Sequence, residues 1–396
     1  MCVAQVLAQV GTFAVPALLP RLIAAWSLTN TEAGWVTGIF YAGYTLSVPV
    51  LVSLTDRMDP RSVYLFGVSL IAVAAGGFAL LADGFASACL FRALWGIGWA
   101  GTYMPGLKAV SDLVEPAQQS RAVAGHAAGI GLSGAASFVV AETVAEALGW
   151  RWGVAVGGFG AAAAFAIAAT VLPRRRPAPP AEGRGAFLDF RPVLRNRSAL
   201  GYSLGYMVHT WEMSVLRSWV VTFLTLAAGR GGALAGAISP AAVATSLGLV
   251  GAGSSVLGNE AAIRLGRRRF ILTVMGASAA MAAGIGFAGQ SSFALGAPLC
   301  VAYAALIWAD SASLTAGTVG SAEPERRGAT MAVHSTLGYL GGFLGPLVQG
   351  VVLDLAAPWG GLAWGFAFLH VTAVLALGMA AMALLRPQPL GGDRRG

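Results

Sequence analysis

Among the ionisable side chains inside long apolar runs are Arg92, His126, Glu142, His209, Glu212, Arg217, Asp310, His334 and His370. Charge at such depth is costly, so each is a candidate for ligand binding or proton movement. Glu212 sits near the middle of its run. His209 precedes it by three residues and shares its helix face. A carboxylate and an imidazole so placed can load and release a proton. Arg217, five residues on, leaves that stripe unless the helix breaks, and would face Asp310 or a substrate. Asp310 follows Trp308 and precedes Ser311, Ser313, Thr315 and Thr318, a run that suits a hydrated wall or close helix packing equally. Arg92 can hold an anionic group or tune a proton-carrying acid. Two such arginines would favour an anionic substrate, a preference that vanishes if Glu212 and Asp310 neutralise them. The rival reading of Glu212 is a structural ion pair with Arg92 or Arg217. His126 and His334 read as capping or packing histidines and His370 as structural. Glu142 lies near a helix end, where solvation is cheap.

Other chemistries find little support. No G-x-x-x-x-G-K-[ST] phosphate loop is present, which argues against direct ATP drive. No His/Cys/Glu group has metal-ligand spacing, so neither a metal nor a cofactor is expected, and no enzyme motif appears. Cys2, Cys89 and Cys300 lie in or beside apolar runs and form no disulfide framework.

Such side chains must be carried by membrane-spanning elements. The 396 residues are 57% hydrophobic and only 11% charged, with mean hydropathy +0.72. Soluble domains carry about 25% charged residues. Lipid must therefore solvate much of this chain. The net charge of +8 does not imply nucleic acid, because the basic residues occupy short loops between apolar runs. Arginine supplies all but Lys108, as in a GC-rich genome.

A span needs about 20 mainly apolar residues. Twelve runs qualify: 2–24, 33–54, 63–82, 85–107, 122–146, 153–172, 199–226, 234–257, 270–289, 293–317, 328–354 and 362–385. Most of the 25 basic residues, from Arg57 and Arg61 to Arg394 and Arg395, fall in even-numbered loops and the C-terminal tail. By the positive-inside rule those loops and both termini are cytoplasmic. Trp26, Trp35, Trp150, Trp152, Trp359 and Trp364 then mark outer helix ends. No basic n-region precedes the first run, so no cleavable signal peptide is expected; the near absence of a leading tail leaves the start codon open. The polar stretch 173–198 divides the chain into bundles over 1–172 and 199–396. Within it, Phe187, Leu188, Phe190, Val193 and Leu194 form either a short amphipathic helix or part of an ordinary linker.

The halves echo each other. Arg57 falls on Arg264 and Arg61 on Arg268 in matched loops; His126 falls on His334, Gly134 on Gly342 and Trp152 on Trp364. On these residues the chain resembles the major facilitator superfamily over essentially its whole length. Asp56-Arg57 and Arg61 match that family's G-x-x-x-D-R-x-G-R-R loop, with departures at Val52, Asp59 and Pro60. The second copy keeps Arg264, Gly266, Arg267 and Arg268, but has Ile263 where the acid would stand. Arg92, Gly96 and Gly98 match its R-x-x-x-G-x-G pattern.

The resemblance implies an all-α membrane fold of two six-helix bundles, with a cavity lined by helices 1, 4, 7 and 10 and alternating access. Arg92, Glu212, Arg217 and Asp310 all lie on those helices. It also implies a cytoplasmic gate built from Asp56, Arg57, Arg61, Arg264 and Arg268, whose plainer reading is orientation of the chain by charge. The expected partners are a small-molecule substrate, a proton and the bilayer, with the chain acting as a monomer in a bacterial inner membrane. The family's antiporters carry a G-P pair in helix 5. Here the pair, Gly345-Pro346, is in helix 11, so export by antiport is not established. The alternatives are efflux of drugs or metabolites, and a non-transporting receptor or scaffold.

Overall fold

Each predicted apolar run is met by a helix or a broken pair of helices in the computed structural model. It describes every residue except 56, 112–114, 175–189, 232–235, 395 and 396, and the side chains of 53, 111, 116–125, 127, 128, 130 and 325. The helices are α1 Cys2–Gln9, α2 Ala14–Trp26, α3 Asn30–Leu54, α4 Pro60–Leu81, α5 Phe85–Ala100, α6 Tyr103–Ser111, α7 Pro116–Leu148 and α8 Trp150–Val171. They continue as α9 Arg191–Arg195, α10 Arg197–Gly229, α11 Pro240–Leu265, α12 Arg267–Ala288, α13 Phe293–Ala309, α14 Ser311–Ser321, α15 Arg327–Ala356 and α16 Ala363–Leu385. No strand occurs among the described residues.

Local chemistry sets the helix starts. Asp59 caps α4, with Pro60 in the first turn, and Ser239 caps α11 ahead of Pro240. Asn196 caps α10 by accepting from Ala199 N at 3.0 Å.

Nine stretches of the described residues are long and apolar enough to cross a membrane, one of which, Arg327–Leu385, contains both α15 and α16. Two predicted runs fall outside them. The run 85–107 is cut into α5 and α6 at Gly101 and Thr102. The run 199–226 lies on the continuous α10, whose apolar character is diluted by His209, Glu212 and Arg217. The first run is also broken, between α1 and α2, and the tenth breaks at Asp310. Of the residues expected in an amphipathic linker helix, only Val193 and Leu194 fall in the short α9; Phe187 and Leu188 lie outside the described residues.

The chain divides into two compact units, Met1–Leu28 with Trp35–Glu182, and Thr29–Gly34 with Gly183–Gly396. In the first, α4 packs along α5 and α8. In the second, α10 packs along α15, and α12 along α16. Glycine permits the closest approaches: a Cβ on Gly96 would fall on the Phe40 carbonyl, and one on Gly258 on that of Ala309. The glycines of α15 do the same for α10, since a Cβ on Gly345 would meet Ser214 Oγ at 2.8 Å.

Among the tryptophans placed at outer helix ends, Trp152 and Trp359 are exposed. Trp364 instead is buried against Phe223 and Phe368, a core residue in place of a belt residue.

Candidate functional site

In the second unit, α10 brings His209 and Glu212 to one face, and the break between α13 and α14 brings Asp310 to meet them. His209 Nδ1 lies 2.9 Å from Asp310 Oδ1. Glu212 Oε1 accepts from Ser278 Oγ of α12 at 2.7 Å, and the buried Tyr303 stands beside the same carboxylate. His209, Glu212, Asp310 and Ser278 are all buried. Burial of two carboxyl groups and one imidazole so close together is stable only if they share protons and hydrogen bonds. Asp310 occupies the N-cap position of α14, yet its side chain makes no capping bond there.

A ring stack extends the cluster. Tyr206 stacks on His209 at 5.6 Å and on His334 at 4.1 Å. Thr318 Oγ1 lies 3.0 Å from His334 Nδ1, and Thr315 also approaches that ring. The predicted hydroxyl run therefore serves a histidine on α15, while Ser313 is fully buried.

Asp310 meets His209, and the Arg217 guanidinium lies over the Trp308 ring, 4.9 Å from its centroid.

The first unit places Arg92 on α5, almost fully buried. Its Nε donates to Val36 O at 3.4 Å, and its guanidinium lies 4.6 Å from the Phe40 centroid and 5.4 Å from that of Trp95. Among the described residues its Nη1 has no hydrogen-bond partner. The same unit also holds a neutral polar group. Gln9 Nε2 donates to Thr102 Oγ1 at 3.0 Å, Thr12 donates to Gln9 Oε1 at 2.9 Å, and the Trp99 indole donates to the same oxygen. Gln5, Gln9 and Thr12, spaced along the first apolar run, were the available signal. In each unit a polar group thus joins the first helix to the break in the fourth, neutral in one unit and ionisable in the other.

The expected gate residues are distributed differently. Asp56 lies outside the described residues. Arg57 is exposed, and Arg61 Nη2 donates to Ala169 O of α8 at 2.8 Å, so it ties a helix end within its own unit. Arg264 pairs with Glu260 at 2.7 Å on an exposed surface, 74% and 54% accessible, and Arg268 is half-buried. Their neighbour Arg267 is the buried residue. Its Nε and Nη2 grip Asp393 Oδ2 and Oδ1 at 3.0 and 2.9 Å, and its Nη1 donates to Asn259 and to Ser313 O. The C-terminal tail thus brings an acid to the loop in which Ile263 takes the acid's place. Sequence spacing gave no sign of it, because the partners are far apart in the chain.

His126 stacks on Tyr103, with Nε2 3.2 Å from the Tyr103 carbonyl. His370 accepts from the Trp211 indole at 3.1 Å. Asp354 on α15 accepts from the backbone and side chains of Asn30 and Thr31, at 2.6–3.0 Å, and so caps the start of α3.

Long apolar helices in two packed units make this a multi-pass membrane protein. The chain belongs to the Major Facilitator Superfamily, whose sequence profile matches residues 1–263. It is 24% identical over 236 residues to protein spinster homolog 1 of Homo sapiens, covering 57% of this chain and 44% of that protein. It is 23% identical over 150 residues to the niacin transporter NiaP of Acinetobacter baylyi, covering 38% and 34%. The matched region is thus less than half the length of these relatives. Among solved structures, a bacterial homolog of the human lysosomal transporter Spinster, inward-facing and unoccupied, superposes with TM-score 0.78 at 16% identity, over 97% of this chain and 95% of that one. The nucleoside transporter NupG gives 0.74 at 14% identity, over 98% of both chains. At such identities the likeness shows the fold.

Proposed function

We propose that this transporter is secondary active, carries a small organic solute by alternating access, and couples its movement to protons. Glu212, Asp310 and His209 are the coupling residues, and Arg92 and Arg217 contact the substrate. The observation that carries this reading is the buried meeting of His209 with Asp310 beside Glu212. Three exchangeable groups, two on one turn of α10 and one at the break between α13 and α14, give a proton somewhere to sit in more than one arrangement. The protein acts as a monomer in a bacterial inner membrane, with both termini in the cytoplasm, an orientation that the basic loops support. Asp56, Arg57, Arg61, Arg264 and Arg268 serve the cytoplasmic gate.

Relatives named for niacin and nucleoside transport supply the first solutes to try. Protein in liposomes with a trapped pH-sensitive dye would receive nucleosides, nicotinate and other organic acids. Proton movement on addition of one solute, absent from empty liposomes, supports the reading. Solute uptake that moves no protons and ignores an imposed pH gradient would refute the coupling.

A further inference from the structure

A cleft of about 630 Å³ opens where the start of α10 meets the end of α16. Its polar lining is Asn196, Arg197, Ser198, Arg386 and Gln388. Arg197 spends one guanidinium nitrogen on Leu384 O at 3.1 Å, which leaves most of its five N–H groups for another acceptor. Ser198 Oγ accepts from Gln388 N at 3.0 Å, so its hydroxyl hydrogen remains to be given. Arg386 completes the cationic side, and among the described residues no carboxylate lines the cleft.

Arg386 holds an unusual backbone. It caps α16 at φ 51 and ψ 59, one of two non-glycine residues with positive φ among those described. Glycine adopts this cap at least cost. An arginine there places a cation at the mouth of the cleft at some expense in backbone strain.

The last turn of α16 lines the cleft with apolar side chains, Ala383, Leu384 and Leu385, of which Leu384 is 73% exposed. The apolar stretch of α16 ends at this level, where Arg386 and Pro387 begin the tail. Cations and a hydroxyl donor beside an exposed leucine, at the end of a spanning helix, match the chemistry of a lipid phosphate above its acyl chains.

We propose that this cleft binds the headgroup phosphate of an anionic phospholipid, held by Arg197, Ser198 and Arg386, with an acyl chain along Leu384. Binding is independent of the transported solute.

The test uses the full chain. Thermal unfolding is followed in nanodiscs of phosphatidylcholine alone and with phosphatidylglycerol, and short-chain phosphatidylglycerol is titrated in detergent. Wild type should gain Tm with phosphatidylglycerol, as should Arg264→Gln, whose charge lies elsewhere. Arg197→Gln/Arg386→Gln should lose most of that gain and bind the short-chain lipid about tenfold more weakly. Arg386→Gly guards against misfolding: it relieves the cap, so Tm in phosphatidylcholine should hold or rise while the response to phosphatidylglycerol falls. An undiminished response in both variants overturns the site. A wild-type Tm gain reproduced by inorganic phosphate alone overturns the lipid as its ligand.

Discussion

Ser278 gives Glu212 a hydrogen bond at 2.7 Å in a buried place, so Ser278→Ala strips one donor from a carboxyl group that water does not reach. The expected loss is about 1–3 kcal/mol, readable as a lower Tm in detergent, and the proton response should change its dependence on pH. Asp310→Asn acts on the same cluster from the other side. It leaves His209 facing an amide that carries no charge, and solute-driven proton uptake should fall at least as far as it does in Ser278→Ala. The types of these residues were readable in the sequence, because charge inside an apolar run stands out. Their partners were not. Helix periodicity pairs His209 with Glu212, but it cannot say that Asp310, on a separate helix, closes on His209 while Arg217 turns to Trp308. Ser278 carries no such signal at all, being one small hydroxyl in a small-residue helix.

At the scale of elements, the C-terminal tail is tied into the second unit. The Arg267–Asp393 pair is 4% and 2% accessible, and Arg394 N donates to Ile263 O at 2.9 Å. Breaking a buried bidentate pair leaves a charge without its partner, which costs about 3–5 kcal/mol. Asp393→Asn should therefore lower Tm markedly. Arg264→Gln, which breaks an exposed pair in the same loop, should change stability by less than about 1 kcal/mol. Equal effects would contradict the assignment of Arg267 as the structural member of the loop. The loop motif was legible as a pattern of arginines, but which of them is buried depends on how α12 begins, and its acid partner lies in a tail that hydropathy marks only as polar. The helix breaks were hidden for a related reason. Gly101 and Thr102 resemble the many small residues of continuous spans, and Asp310 reads as a charge before it reads as a stop.

For the whole molecule, the alternation of basic loops makes a prediction about sides. Arg174 is exposed at the end of α8. With Cys2, Cys89 and Cys300 replaced by serine, Arg174→Cys should react with a membrane-impermeant maleimide in inverted vesicles and not in intact cells. Labelling from outside would reverse the proposed orientation. The all-helical class and the family were legible early because composition, run length and paired loops all respond to one cause, the bilayer as solvent. A substrate was not legible, since the groups that would bind it are a few side chains whose neighbours come from distant parts of the chain.

Coupling through Glu212 is the centre of the account, and Glu212→Gln tests it while keeping the side chain's size. In liposomes with an inward proton gradient, wild type should accumulate its solute above equilibrium. Glu212→Gln should still exchange solute downhill but fail to accumulate it, and should move no protons with it. Uphill accumulation by Glu212→Gln equal to that of wild type would contradict the account.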